Sequence, residues 1–317
     1  MSREAGPSLR HDAAVQRSST RPGAESGAVA THLAPASGLP IAEVAGCPLV
    51  AELSSGGHAV VYRAWQPLLR RYVAIKALTS EAQADPALLH GFLREARLLA
   101  RFAHPNLPQV HDLVSAHGGW FLILELCIGL DLLDVLEQQP CLPEAFALAI
   151  FSQAARALAH VHAHGVVHGD IKPANLILTR QGLVKLVDFG LSRQAGDPAT
   201  SPSRTTPAYR SPEQEQGSDG FLDARSDQYA LALVLQQMLT GQKSRRLLSS
   251  AAGASIPAAV QSLLARCLRE VPDERYASME DVVAACESLT GPAALRRERE
   301  QVQALVTLLQ QPTAHAP

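Results

Sequence analysis

Two short motifs that lie close together in the chain carry the residue types needed for phosphoryl transfer. The sequence HGDIKPANLI begins at His168, and DFG begins at Asp188. Asp170 can accept the proton of an attacking hydroxyl, and Lys172 can neutralise a phosphoryl group in transfer. Asn175 and Asp188 can offer oxygen atoms to Mg²⁺, a hard cation that prefers such ligands. The apolar runs NLIL and VKLVDFG predict a short β-hairpin, which would hold a magnesium-bound nucleotide beside a hydroxyl nucleophile.

The elements that must position these groups fall into two parts with different patterns. Residues 47 to about 124 combine strand-like runs with a glycine-rich turn and one helical stretch, from about 85 to 102. Residues from about 128 to 290 are mainly helical. A small β-rich lobe followed by a larger α-helical lobe predicts a two-lobed α+β fold.

The two ends of the chain differ from this central part. Residues 1–46 contain no aromatic residue and are rich in Ala, Ser, Gly, Pro and Arg. We expect a disordered tail there, because such a segment cannot offset its ordering entropy. Residues 291–317 predict a C-terminal helix and tail, with apolar residues at heptad spacing: Leu295, Val302, Leu305 and Leu309. This helix is interpreted either as packed on the large lobe or as a dimerisation or partner helix.

Composition excludes several classes of protein. The net charge of −2 favours neither a nucleic-acid binder nor a membrane-surface binder. Five scattered cysteines without a CxxC pair predict reduced thiols. No apolar run approaches the roughly 20 residues of a membrane span, and the first residues lack the apolar core of a secretory signal. We therefore expect a cytoplasmic protein.

The motifs resemble those of the protein kinases, specifically the bacterial serine/threonine kinases of eukaryotic (Hanks) type. The resemblance covers about residues 49–289, and the motifs follow the order of that family. It implies a protein-kinase-like fold, ATP and Mg²⁺ as cofactors, and protein substrates phosphorylated on serine or threonine. Asp170 would be the catalytic base, with Lys172 and Asn175 beside it.

The resemblance also assigns the nucleotide-binding residues. LSSGGHAVVY, from Leu53, corresponds to the glycine-rich loop, in which the three glycine positions of the family are Ser54, Gly56 and Ala59. Lys76 lies on an apolar strand, an unusual place for an unpaired cation; the resemblance assigns it to the phosphates, with Glu95 as its ion-pair partner. The residues assigned to the adenine and ribose are Val61, Ala74, Glu125, Cys127, Asp131 and Ile177.

Further features distinguish protein kinases from small-molecule kinases of related fold. TTPAYRSPEQ, from Thr205, resembles a peptide-docking segment in which Thr206 would hydrogen-bond Asp170 and Lys172. The resemblance pairs Glu213 with Arg275 and places Asp227 as a buried anchor of the catalytic loop. His168 is expected to be a core histidine beside Phe189 and Leu99.

One position departs from the family pattern. Gly169 stands where the family usually has an arginine that receives a phosphorylated activation loop. We therefore predict that activity depends little on phosphorylation of that loop.

Three functions remain as alternatives. An active protein kinase is favoured, because a scaffold has no chemical need for the whole set of Lys76, Glu95, Asp170, Asn175 and Asp188. A pseudokinase scaffold is supported only by the altered glycine-rich loop and Gly169. A small-molecule kinase is the third alternative, suggested by HGD. A metal bridged by His160 and His164, four residues apart, is less favoured than packing of these rings.

Overall fold

The computed structural model describes residues 41–194, 206–215, 223–242, 256–290 and 294–310. Its β-strands are β1 (Glu43–Val44), β2 (Cys47–Ser55), β3 (Ala59–Gln66), β4 (Arg71–Leu78), β5 (Val110–Ala116), β6 (Gly119–Glu125), β7 (Gly129–Asp131), β8 (Val166–Val167), β9 (Leu176–Thr179), β10 (Val184–Leu186) and β11 (Arg193–Gln194). Its α-helices are α1 (Ser80–Ala84), α2 (Pro86–Leu99), α3 (Leu132–Gln138), α4 (Glu144–Ala163), α5 (Pro212–Glu215), α6 (Ala224–Thr240), α7 (Ala258–Cys267), α8 (Met279–Thr290) and α9 (Ala294–Gln310). None of these helices is long and apolar enough to cross a membrane.

The small lobe is built on one antiparallel sheet with strand order β1-β2-β3-β4-β6-β5. One face of the sheet buries an apolar cluster of its own, including Leu49, Ile75 and Phe121. The other face packs on α2, whose Phe92 and Leu99 join the core of the large lobe. The sheet therefore connects to the large lobe through α2.

The small lobe begins earlier than the sequence predicted. β1 pairs with β2 through Val44 and Cys47, and Val44 is fully buried. The two residues of the turn, Ala45 and Gly46, have φ values of 50° and 72°, which is typical of a tight hairpin. A two-residue strand is too short to give a visible pattern, so the predicted boundary at residue 47 is wrong by a few residues. The rest of the predicted tail, residues 1–40, lies outside the described residues.

The start of α2 is fixed by its cap. The Asp85 carboxylate accepts hydrogen bonds from the backbone of Ala87 at 2.8 Å and Leu88 at 3.4 Å, and Pro86 occupies the first turn. An acidic N-cap followed by proline is a strong signal for a helix start. The helix ends at Leu99, close to the predicted end.

The large lobe is organised around α4, which packs against α6, α8 and α9. A second sheet with order β10-β9-β7 lies at its edge and contains the predicted hairpin as β9 and β10. β7 approaches β9 so closely that a Cβ atom at Gly129 would collide with the carbonyl oxygen of Leu178. Glycine is therefore required where the chain enters the large lobe.

The C-terminal helix α9 packs on the large lobe, which is the first of its two predicted interpretations. Val302, Leu305 and Val306 are buried, and Glu298 forms an ion pair with Arg156 of α4. This inner face contains two of the heptad residues, so the heptad pattern is used in packing within the chain.

Candidate active site

Lys76 of β4 is held between two carboxylates. Its Nζ atom lies 2.7 and 2.9 Å from the two carboxylate oxygens of Glu95 on α2 and 3.1 Å from Oδ1 of Asp188. Burial alone would lower the pKa of Lys76, but the attraction of both carboxylates outweighs burial and raises it. The predicted partners Lys76 and Glu95 are thus brought together, and the residue predicted to bind metal joins them.

Asp188 occupies a constrained backbone position next to this pair. Its φ of 64° lies in the left-handed region, which aspartate tolerates better than most residues. Lys76 lowers the pKa of the Asp188 carboxyl, against the effect of burial. Half of its side chain, 51%, is exposed, so the carboxylate is charged and accessible to a cation.

The Asp170 carboxylate is held at both of its oxygen atoms. Lys172 Nζ lies 2.6 Å from Oδ2. The backbone N–H and the hydroxyl of Thr206 donate to Oδ1 at 3.1 and 3.3 Å. Asn175 Nδ2 donates to the backbone carbonyl of Asp170 at 2.9 Å. These four residues therefore form one connected cluster. The predicted hydrogen bond from Thr206 to Asp170 is present, but among the described residues Thr206 makes none with Lys172.

The backbone that carries Asp170 is clamped by Asp227 from α6. The two carboxylate oxygens of Asp227 accept from the backbone N–H groups of His168 and Gly169, both at 2.9 Å. His162 Nε2 lies 2.8 Å from Oδ2. Burial would raise the pKa of Asp227, but these hydrogen bonds, led by that of His162, lower it. Asp227 has the position that the sequence predicted.

His162 is a residue of this cluster that sequence reasoning missed. An aspartate buried in an apolar helix needs donors, and the histidine-rich run before His168 was the place to seek one. His168 itself is fully buried, with its ring centroid 4.6 Å from that of Phe189, as predicted. His160 and His164 pack their rings on Phe102. Within the described ranges, no group of three or more metal-binding side chains occurs.

Strand register collects the predicted nucleotide residues of the small lobe on one face. Val61 of β3 lies directly opposite Lys76 of β4, and directly opposed residues share a face. Ala74 precedes Lys76 by two residues and therefore lies on the same face. In the glycine-rich loop, Gly56 N–H donates to Ala59 at 2.9 Å. The loop is thus a closed turn.

Leu53 and Ser54, the other two residues predicted to bind nucleotide in this loop, lie at the end of β2. Ser54 pairs with Val61, and the Leu53 side chain is 49% exposed. Leu53 is therefore free of the small-lobe core.

The segment after β6, predicted to bind adenine through its backbone, is fixed by side-chain contacts. The Glu125 carboxylate lies 2.7 Å from Lys185 Nζ and accepts from the backbone N–H of Gln109 at 3.1 Å. Burial raises the pKa of the Cys127 thiol to about 12. The carboxylate of Asp131, predicted to contact ribose, caps α3 by accepting from Asp134 N–H at 2.8 Å.

Lys185 is the second residue that sequence reasoning missed. It stands in the apolar strand VKLV, so the argument used for Lys76, that a buried cation needs a partner, applied to it equally. Its position on β10 places it directly opposite Ile177 on β9. Ile177, the predicted floor of the adenine site, therefore shares a face of the hairpin with Lys185.

The predicted ion pair beneath the peptide-docking segment is present. The Arg275 guanidinium donates to both carboxylate oxygens of Glu213 at 2.7 Å. The Arg275 side chain is fully buried and lies over the Tyr229 ring. Ser226 also donates to Glu213, at 2.8 Å. This pair ties α5 to α6 and to the segment before α8.

Comparison with known proteins agrees with this geometry. The family model described as "Protein kinase domain" matches residues 49–285. The chain belongs to the protein kinase family. The crystal structure of the Mycobacterium tuberculosis PknI kinase domain matches this kinase with a TM-score of 0.61 and 30% identity, covering 77% of this chain and 96% of that chain. The two-lobed kinase fold predicted from the sequence is therefore confirmed.

The chain is also similar to two curated bacterial proteins. Serine/threonine-protein kinase PknH of Mycobacterium bovis is 35% identical over 260 residues, 76% of this chain and 43% of that protein. Serine/threonine-protein kinase PksC of Streptomyces coelicolor is 34% identical over 263 residues, 74% of this chain and 47% of that protein. The chain thus spans less than half the length of these two relatives.

Proposed function

We propose that this kinase transfers the γ-phosphate of ATP to serine and threonine hydroxyls of protein substrates. The observation that carries the proposal is the pair of clusters at the site. Lys76, Glu95 and Asp188 form one, and Asp170, Lys172, Asn175 and Thr206 form the other. The identity to bacterial serine/threonine kinases supports it further.

Each side chain has a role that follows from its contacts. Asp170 would accept the proton of the substrate hydroxyl, because Thr206 and Lys172 hold its carboxylate in one orientation. Lys172 would also neutralise charge on the transferring group, and Lys76 would bind the α- and β-phosphates. Positioning and charge neutralisation would supply most of the rate acceleration.

The oxygen-rich residues present fit Mg²⁺. Asp188 offers a charged, half-exposed carboxylate. Asn175 uses Nδ2 to donate to Asp170, so its amide oxygen is the atom left for a cation. Mg²⁺ prefers such oxygen ligands, and when bound it would stabilise the negative charge of the nucleotide phosphates. We propose these two residues as the metal ligands.

The other functional alternatives have less support. A scaffold would have no need for the hydrogen bonds that orient Asp170. A small-molecule kinase would have no need for the peptide-docking segment, with its Glu213–Arg275 pair.

For location we propose the cytoplasm, since all five cysteines are free thiols. A dimer or partner contact through α9 would use its outer face, where Leu308 is 57% exposed.

The first experiment measures transfer of radiolabel from ATP with Mg²⁺ to the kinase itself and to a generic protein substrate. We expect Asp170→Asn to reduce transfer by about 10²–10⁴-fold, the usual contribution of a general base, with nucleotide binding retained. Asp112→Asn is the matched control, because Asp112 is an exposed residue of β5. Equal transfer by Asp170→Asn and the native kinase would contradict the proposed role, and label on residues other than serine or threonine would contradict the substrate class.

A further inference from the structure

We propose that Lys185 is a positioning residue for the adenine end of the nucleotide, an inference that rests on the proposed nucleotide-binding function. Lys185 would act through Glu125, by fixing the end of β6 against the strand that leads to Asp188. Nucleotide affinity, more than the rate of transfer, would depend on it.

The first observation is the burial of the Lys185 side chain. It is 5% exposed in the middle of β10, and lysine is rarely buried so fully unless it is paired. Its Nζ atom has two partners, the Glu125 carboxylate at 2.7 Å and the backbone carbonyl of Leu107 at 3.1 Å. The ammonium therefore joins β10 to two other segments of the chain.

The second observation is that Glu125 is held from a further side. Its carboxylate accepts from Gln109 N–H at 3.1 Å, and its own N–H donates to the Gln109 carbonyl at 2.8 Å. Glu125 is the last residue of β6, where the chain enters the segment proposed to bind adenine. Lys185, through Glu125, therefore helps to fix the backbone of that segment.

The third observation is where Lys185 lies in the hairpin. Ile177, the proposed floor of the adenine site, is directly opposite on β9. Asp188, the proposed metal ligand, follows three residues later. One side chain thus links the adenine end of the site to the phosphate end. Loss of the link would let the adenine end move while the phosphate end stays held by its own contacts, and a site that is less pre-organised binds its ligand more weakly.

The test measures the dissociation constants of ADP and of tripolyphosphate, each with Mg²⁺, by calorimetry. We expect Lys185→Met and Glu125→Gln each to weaken ADP binding about tenfold. Tripolyphosphate lacks adenine, so its affinity should change by less than about twofold. In transfer assays KM for ATP should rise by a similar factor while kcat changes little. Lys185→Arg, which keeps the cation, should restore most of the ADP affinity.

The double variant separates positioning from general damage. If Lys185 acts through Glu125, the variant that combines Lys185→Met with Glu125→Gln should bind ADP no more weakly than Lys185→Met alone. Equal losses of affinity for ADP and tripolyphosphate would overturn the proposal. Unchanged ADP affinity in Glu125→Gln would also overturn it, and this variant is a useful second test because the half-buried Glu125 tolerates substitution better than the buried Lys185. A native kinase that binds ADP but transfers no phosphate would contradict the proposed function and leave this inference standing. Failure of the native kinase to bind ADP would overturn both.

Discussion

At the residue scale, Gly169 has a left-handed backbone conformation and also donates a hydrogen bond to Asp227. Its φ is 81°, a left-handed conformation that costs other residues about 1–2 kcal/mol. Its N–H donates to Asp227 at 2.9 Å, so this conformation is part of the clamp on the segment that carries Asp170. Glycine therefore removes strain at the position where a kinase with arginine would receive a phosphorylated loop.

We predict that the native kinase keeps its activity after phosphatase treatment, and that Gly169→Arg makes its activity sensitive to this treatment. The substitution should also lower the free energy of unfolding by about 1–2 kcal/mol. Gly165→Arg is the matched control, because Gly165 has a φ of 71° and open space around it; it should cost similar stability without creating sensitivity. Transfer assays before and after treatment, with urea unfolding, check both parts. A large loss of native activity on treatment would contradict the prediction.

Residues that were predictable from the sequence share a local motif or an obvious anomaly. Asp170, Asn175 and Asp188 flank one short hairpin, formed by β9 and β10, and Lys76 is conspicuous among apolar neighbours. The roles of His162 and Lys185 depend on partners far along the chain, and no spacing rule connects Lys185 with Glu125, 60 residues away. Such contacts are set by tertiary packing, so only the structure revealed them.

At the scale of elements, α9 is joined to the core by more than apolar contact. A Cβ atom at Gly182, in the turn between β9 and β10, would collide with the backbone of Arg299 on α9. The Gly182 carbonyl accepts from Gln153 of α4 at 3.0 Å, and Gln153 accepts from Asn106 at 2.8 Å. The helix thus rests on a turn that is hydrogen-bonded to the interior of the large lobe.

We predict that Gly182→Ala destabilises the kinase by about 1–3 kcal/mol more than Gly118→Ala, because overpacking adds to backbone strain. Gly118 is a close match, since both glycines have a φ of 76° and Gly118 has nothing within 4 Å. Urea unfolding of the two variants gives the difference directly. Equal costs would mean that α9 moves aside without loss, and that the close packing of α9 on Gly182 does not stabilise the fold.

Elements were predicted best where they were long. Apolar spacing predicts helices over residues 143–164 and 226–240, and α4 and α6 differ from these ranges by at most two residues at either end, because such spacing over many turns is unambiguous. The strand β1 and the helix α1 were missed, since two and five residues give no readable period. Their positions depend on pairing with β2 and on the Thr79 cap, which accepts from Ala82 at 3.3 Å.

At the scale of the whole molecule, three buried or half-buried carboxylates connect stability to pH. Contacts lower the pKa of Asp188, Glu213 and Asp227 below their ordinary values, 3.8 for aspartate and 4.5 for glutamate. For Asp188 the main cause is Lys76. For Glu213 and Asp227, hydrogen bonds outweigh the opposite effect of burial. A carboxylate with a lowered folded-state pKa stabilises the fold above its unfolded pKa, and this stabilisation is lost as pH falls through the folded-state value.

We therefore predict that the contribution of these three carboxylates to the free energy of unfolding is constant from pH 7 to about pH 5 and falls progressively below pH 4.5. Each unit of pKa difference is worth about 1.4 kcal/mol. Glu213→Gln should be less stable at pH 7 and should lose less on acidification than the native kinase. Urea titrations at several pH values test this, with Glu280→Gln, an exposed site on α8, as control. Parallel curves for the native kinase and Glu213→Gln would contradict the prediction.

The packing of α9 on the large lobe also determines how fast the amide protons of this helix exchange with solvent. Val302, Leu305 and Val306 are buried against the large lobe, and departure of the helix would also separate Glu298 from Arg156. The amide protons on the inner face of α9 can therefore exchange with deuterated solvent only when the helix frays or detaches from the large lobe. Their protection, compared with that of α4, measures whether the outer layer of the large lobe opens by itself or only together with the core.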